Sequence, residues 1–188
     1  MSGKQTDFDH LIEHGIDIRG RIIYLQGDIE PALIDKFKKL ILYLDKTAGG
    51  ITVVLDSEGG CTNKGFAAYD AIRECSNNEV TVKVIGVAMS MASVILQAGD
   101  HRVITPNSRI MIHRGEIALD DHVTNAKKAL EESEEMEKKM MKIYLERIKE
   151  VKPDFKKSQL QKMLDFDTYI SAERALELGL VDEISSGA

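Results

Sequence analysis

Short β-branched runs alternate with helical apolar periodicities through the first half of the chain. Residues 21–26 (RIIYLQ) read as a strand. Residues 31–47 then place Leu33, Phe37, Leu40, Ile41 and Leu44 on one helical face, with Pro31 tolerated in the first turn. Residues 51–56 (ITVVLD) form a near-continuous apolar run, as in a strand covered on both faces of a parallel sheet. A helix is expected over 63–75, a third strand over 80–87 (VTVKVIGV) and a short apolar helix over 90–98, closed by Gly99. Residues 102–105 and 109–113 (RIMIH) look like two more strands, separated by the turn Pro106-Asn107-Ser108. Strand, helix, strand at this pitch predicts an α/β fold built from crossover units.

From residue 119 the pattern becomes one helix reaching about residue 150, about 45 Å long at 1.5 Å per residue. Val123, Leu130, Met136, Met140, Ile143 and Tyr144 make a broken apolar stripe on it, and the rest is Glu and Lys in i,i+4 pairs. Two readings fit: a solvated helix packed once on its own domain, or one that projects and packs on a partner subunit. Further helices are expected over 157–164 and 171–178, the second with Ser171 as N-cap and Gly179 as its stop. No repeat, low-complexity tract or linker interrupts the 188 residues, which suit one domain over 19–188 behind a flexible segment 1–18.

Charge and cysteine usage narrow the classes. Thirty-one acidic against 25 basic residues give a net charge of −6, against the concentrated basic face that nucleic-acid binding needs. Cys61 and Cys75 lie in segments that read as buried structure; two cysteines are too few for a disulfide scaffold and show no metal-ligand spacing. A reducing, cytoplasmic setting without a metal is therefore expected. The charged N-terminal stretch has no apolar signal region, and the nearly apolar stretch 84–98 is too short to cross a bilayer, so no membrane association is expected.

Ser90 stands where the third strand ends and a helix begins, flanked at two residues' distance by Ala88 and Ala92. Small residues there permit a tight strand-to-helix turn, and helix-start N–H groups favour a developing negative charge. An ordinary helix-capping serine has the same pattern. Gly59-Gly60 follows the strand 51–56 as either a simple turn or an oxyanion donor and a rail for an extended peptide. Among five histidines, His10, His14, His101 and His122 sit among polar residues and read as surface, whereas His113 ends an apolar strand, structural or an imidazole base.

Four stretches together, SEGG (57–60), GVAMSMASVILQAG (86–99), RIMIH (109–113) and DTYISAERALELGLVDEI (167–184), resemble the proteolytic subunit of the Clp protease family, a serine peptidase. The resemblance covers about residues 19–184 with the motifs in family order. It implies an α/β spiral of ββα units related to the crotonases, with 119–150 as a projecting handle helix. It implies heptameric rings stacked face to face, a closed chamber in which unfolded polypeptides are cut, and an AAA+ unfoldase that alone uses ATP; no other cofactor is implied. By this resemblance Ser90 is the nucleophile, His113 the base and Asp167 the acid. Gly59 and Met91 are then the oxyanion donors, with Gly60 beside them in substrate binding. Asp165 is the rival acid, and is expected to be the more exposed of the two. The chain departs from the family pattern at Glu58, where a proline is usual, and after His113, where RGEIALDD replaces a proline and glycine pair. Its N-terminal segment has no clear match to the axial pore loops. An inactive structural ring subunit, a crotonase-type acyl-CoA enzyme and a membrane-associated signal-peptide peptidase are the alternatives. The first normally lacks a triad residue, the second needs acyl-CoA-binding features, and the third needs a membrane segment.

Overall fold

The computed structural model describes residues 11–115 and 123–186. Three apolar runs pair as parallel strands: β2 (Ile22–Gln26), β3 (Ile51–Ser57) and β4 (Val80–Met89). Between them cross the helices α1 (Pro31–Leu44) and α2 (Thr62–Arg73), because parallel neighbours cannot be joined by a hairpin turn. In β3, Ile51, Val53, Val54 and Leu55 are all buried, as an unbroken apolar run requires of a strand covered on both faces. α1 buries Ile34, Phe37, Ile41 and Leu44, with Leu33 and Leu40 only partly covered. It stops at Leu44, three residues short of the periodicity, where the Arg21 guanidinium donates to Leu44 O at 2.8 Å and Thr47 O at 3.1 Å. A cation on terminal carbonyls is a favourable helix end.

β4 runs two residues beyond its predicted end and serves two neighbours along one edge. Its first half pairs in parallel with β5 (His101–Ile104) and its second half with β6 (Arg109–Ile112). The handover falls at Gly86, with φ +107°, whose N–H donates to Ser108 Oγ at 2.9 Å. A side chain there would collide with the Asp56 carboxylate, so the bend requires glycine. β7 (Thr168–Ser171) runs antiparallel to β6, β8 (Glu183–Ile184) lies beside β5, and β1 (Ile16–Asp17) pairs with β2, giving an eight-stranded sheet among the described residues. β1, β7 and β8 are too short to show a sequence period. Ile16, inside the segment 1–18 expected to be flexible, is buried and paired in β1; residues 1–10 lie outside the described ones.

α3 (Met91–Leu96) is wholly buried. The long helix α4 (Val123–Val151) is continuous; residues 119–122, where its start was expected, lie outside the described residues. Its buried side chains, Met140, Met141, Tyr144 and Ile148, all fall near its C-terminal end, and Leu130 is exposed, so the apolar stripe is shorter than the sequence suggests. No described side chain from 124 to 139 is buried, and that part of the helix stands clear of the sheet. α5 (Lys157–Leu164) precedes β7, and α6 (Ala172–Leu178) follows it, capped by Ser171 and stopped by Gly179 at φ +73° as predicted.

Arg102, 2% exposed, locks this last segment to the sheet. Its guanidinium donates to Gln97 Oε1 at 3.0 Å, Gly179 O at 2.9 Å and Asp182 Oδ2 at 2.9 Å. Arg102→Leu takes the guanidinium from Gln97 Oε1 and Gly179 O, leaves Asp182 only the backbone N–H of residue 102, and should cost roughly 3 kcal/mol of stability in a urea titration. Burial by itself raises the Asp182 carboxyl, but its hydrogen bonds from Arg102 outweigh burial and hold it below its ordinary value. A lowered carboxyl contributes stability that is complete above its unfolded value and is lost as pH falls through the lower folded one. Wild type should therefore lose stability below about pH 4 more steeply than Asp182→Asn, as measured by thermal melts across pH.

Candidate active site

β3, β4 and β6 are mutually parallel neighbours, so their C-terminal ends open on one edge of the sheet, where crevices form. The β4–β6 ladder continues one residue beyond β4, with the Ser90 N–H donating to Met111 O at 2.9 Å. Ser90 then takes φ +51° and ψ −125°, and α3 begins at the next residue. A backbone state of this kind costs about 1–3 kcal/mol for a residue with a side chain. Ser90 Oγ makes no capping bond, so the capping-serine reading gives way to a strand–turn–helix elbow. Ala88 and Ala92, both fully buried, leave the room that elbow needs.

His113 lies just past β6, which ends one residue earlier than the strand read from the sequence. β6 and β7 pair antiparallel with Ile112 opposite Thr168; continuing that register by one residue puts Asp167 opposite His113. His113 Nε2 lies 2.8 Å from Ser90 Oγ, and His113 Nδ1 lies 3.1 Å from Asp167 Oδ1. The rival Asp165 instead pairs with Arg114 Nη2 at 2.9 Å, while Arg114 Nη1 reaches Glu137 on α4 at 3.1 Å. The exposure argument for choosing between the two acids is reversed, since the Asp167 side chain is 58% exposed and that of Asp165 44%. Strand register, and not burial, decides which carboxylate faces the imidazole. His14 and His101 are exposed, the latter 3.1 Å from Glu183, and His10 and His122 lie outside the described residues.

Gly59 packs directly on the elbow. A Cβ there would lie 2.7 Å from Ser90 Cβ, 2.8 Å from Met89 O and 3.2 Å from Met91 N, and φ is +108°. The structure thus brings the Gly59 and Met91 backbones together around Ser90. The Gly59 N–H donates to Ser57 Oγ at 3.1 Å, a hydroxyl that is buried, so Glu58 in place of proline leaves the turn closed. Gly59 O and the Cys61 N–H are bonded to the Ile29 backbone at 2.7 and 2.8 Å, and Gly60 forms the bridge to Ile29. Beside this turn an open groove of about 570 Å³ carries Asp28, Glu30, Glu58 and Cys61 on its walls. Cys61 is exposed there and unpaired, correcting the expectation of a buried thiol; Cys75 is half-buried, and burial pushes its thiol up to about 11. Sequence reasoning missed Ser57 and Arg114. Ser57 has a local signal, a hydroxyl two residues before a turn N–H. Arg114 has none, because its partners are 51 and 23 positions away along the chain by number.

The arrangement, a hydroxyl at a strained elbow bonded to an imidazole that is itself bonded to a carboxylate, suits acyl transfer. The profile of the family described as Clp protease matches residues 13–188. The chain belongs to the Clp protease family. Curated relatives agree with the Clp assignment: an ATP-dependent Clp protease proteolytic subunit of Chlorella vulgaris is 31% identical over 171 residues, covering 89% of this chain and 82% of its own length. An ATP-dependent Clp protease proteolytic subunit 2 of Tropheryma whipplei (strain Twist) is 34% identical over 190 residues, covering 96% of each. As a Clp family member the chain is a serine peptidase, and the mixed α/β sheet is the fold expected from its motifs. Among the described residues no helix is long and apolar enough to cross a membrane, and no cluster of His, Cys, Asp and Glu is arranged to hold a metal ion.

Because a Cβ at Gly59 meets backbone atoms on the elbow, Gly59→Ala in this Clp family chain should lower the rate of covalent labelling by a fluorophosphonate about a hundredfold. Far-UV circular dichroism should remain that of wild type.

Proposed function

We propose that the chain is the proteolytic subunit of a Clp-type assembly and cuts unfolded polypeptides through Ser90, His113 and Asp167. The observation that carries this reading is the continuous hydrogen-bonded line from Ser90 Oγ through His113 to Asp167. His113 Nε2 takes the Ser90 proton as Oγ adds to the scissile carbonyl carbon. Asp167 holds the Nδ1–H tautomer and stabilises the imidazolium. The tetrahedral oxyanion takes hydrogen bonds from the Met91 and Gly59 N–H groups, the latter exchanging the neutral Ser57 Oγ for a charged acceptor. Each such donor is worth about 3 kcal/mol in the transition state. His113 then protonates the leaving amine, and water, activated by the same imidazole, hydrolyses the acyl-enzyme. Gly60 offers its backbone to an extended substrate, and nothing in this sequence of steps calls on a metal or organic cofactor.

The proposal extends to assembly. Both relatives' names specify a subunit of an ATP-dependent protease. No described side chain of α4 from 124 to 139 is buried, and Phe166 and Tyr169 beside the acid are 78% and 61% exposed. Homo-oligomeric rings of seven around a chamber, fed by an AAA+ unfoldase, would cover these surfaces. Native mass spectrometry showing multiples of seven supports that part, and a monomer at micromolar concentration refutes it.

Labelling by a fluorophosphonate should be stoichiometric in wild type and absent in Ser90→Ala; no labelling of the assembled wild type would refute the nucleophile. The two acids separate by mutation. Asp167→Asn should lower kcat for a fluorogenic peptide by about 10⁴, the scale on which loss of the orienting acid acts. Asp165→Asn should lower it only a fewfold.

A further inference from the structure

A second line of hydrogen bonds enters the elbow from behind, out of the long helix. Tyr144, in the C-terminal part of α4 and 1% exposed, places its hydroxyl 2.7 Å from Ser93 Oγ. Ser93 is fully buried in α3, and its Oγ lies 2.6 Å from Ser90 O. The direction of these bonds follows from proton count. Ser90 O is a carbonyl and can only accept, so the single Ser93 hydroxyl proton is given to it. Tyr144 must then be the donor to Ser93 Oγ. Each bond polarises the next, so the line tightens toward the carbonyl. Burial raises the Tyr144 phenol above its ordinary value, and it stays a protonated donor across the working pH range.

The acceptor carbonyl is what gives this line a consequence. Ser90 O also receives the Ser93 N–H at 3.0 Å, so two donors from one residue hold it. The Ser90 carbonyl and the Met91 N–H belong to the same planar trans peptide and point in opposite directions. Fixing the carbonyl end therefore fixes where the Met91 N–H points. The preceding residue is strained at φ +51°, and an unrestrained peptide there would relax by rotating this plane.

We propose that Ser93 and Tyr144 are positioning residues that aim the Met91 N–H at the oxyanion, so that the long helix α4 holds half of the oxyanion hole from outside the substrate cleft. This rests on the reading of Ser90 as nucleophile and Met91 as oxyanion donor given above. Neither residue touches substrate, and both act through the Ser90–Met91 peptide. The effect belongs to the transition state, in which the oxyanion exists, and not to ground-state binding of the peptide.

Three variants test it: Tyr144→Phe, Ser93→Ala and the double variant, each measured for kcat and KM on a fluorogenic peptide, fluorophosphonate acylation rate and melting temperature. Tyr144→Phe should lower kcat and acylation about fivefold with KM unchanged, since the carbonyl keeps Ser93 but loses the polarising donor. Ser93→Ala should lower them about twentyfold, below the hundredfold or more of losing an oxyanion donor outright. It also strands the buried Tyr144 hydroxyl, so its melting temperature falls. The double variant removes that orphan, so its melting temperature should recover toward wild type while its acylation rate stays at the Ser93→Ala level. That divergence of rate from stability is what a merely structural pair cannot produce. If acylation in the variants matches wild type, or rises and falls with melting temperature, the inference is overturned. If wild type itself is not labelled at Ser90, it is the nucleophile assignment that fails, and the two failures are distinct. Should Ser93→Ala not fold, Tyr144→Phe carries the same test, and an unchanged kcat there overturns the proposal.

Discussion

β4 has to pair with two different strands along the same edge, and the site depends on how it does so. Its first half is bonded to β5 and its second half to β6, and the chain bends between them at Gly86. The bend carries the end of β4 away from β5 and brings it alongside the end of β6. Ser90 and His113 are therefore delivered to one point by two parallel strands of different parentage. The Asp56 carboxylate fills the space a Gly86 side chain would need and accepts the Val87 N–H at 3.0 Å. β3, β4 and β6 are thus pinned to each other at the level where β4 turns.

The carboxylate arrives by a different route, an antiparallel strand whose register on β6 is set four residues deep. Register is discrete: a slip of one residue would turn every side chain of β7 to the other face, and bringing Asp165 opposite His113 would take a slip of two, moving every pair of the β6–β7 ladder out of place. Ile170, buried, and Tyr169, exposed, show which face is committed. Arg114 adds a clamp at this end by holding Asp165 and Glu137, so the acid loop is tethered to α4. These ions are partly exposed to solvent, and such pairs contribute little to stability; what the clamp restricts is where the loop sits. With the buried Tyr144–Ser93 line at the elbow, α4 reaches the site at both its acid and its nucleophile ends.

Much of the architecture was legible in the residues. The apolar runs at 51–56 and 80–87 and the amphipathic period of 31–47 report burial directly, because strand and helix periods differ and both are long enough to count. Ser171 and Gly179 mark the last helix by local chemistry alone. Where reading from sequence fell short, a distant partner had intervened. The end of α1 is set by Arg21, the length of β4 by Met111 accepting from Ser90, and the exposure of Cys61 by a turn folded onto Ile29.

The sequence by itself determined which groups are available and roughly where each strand delivers them: a hydroxyl between two alanines at a strand end, an imidazole after RIMIH, a glycine pair after ITVVLD and two carboxylates before the final helix. It left open whether Ser90 caps a helix or turns an elbow, and which carboxylate meets the imidazole. Only the tertiary structure decided these points, because each depends on strand register and peptide orientation set by residues far away in the chain. Backbone torsion at Ser90, the one-residue continuation of the β6–β7 ladder and the buried Tyr144 hydroxyl have no local signature; they exist only once the sheet is paired and α4 is laid against α3.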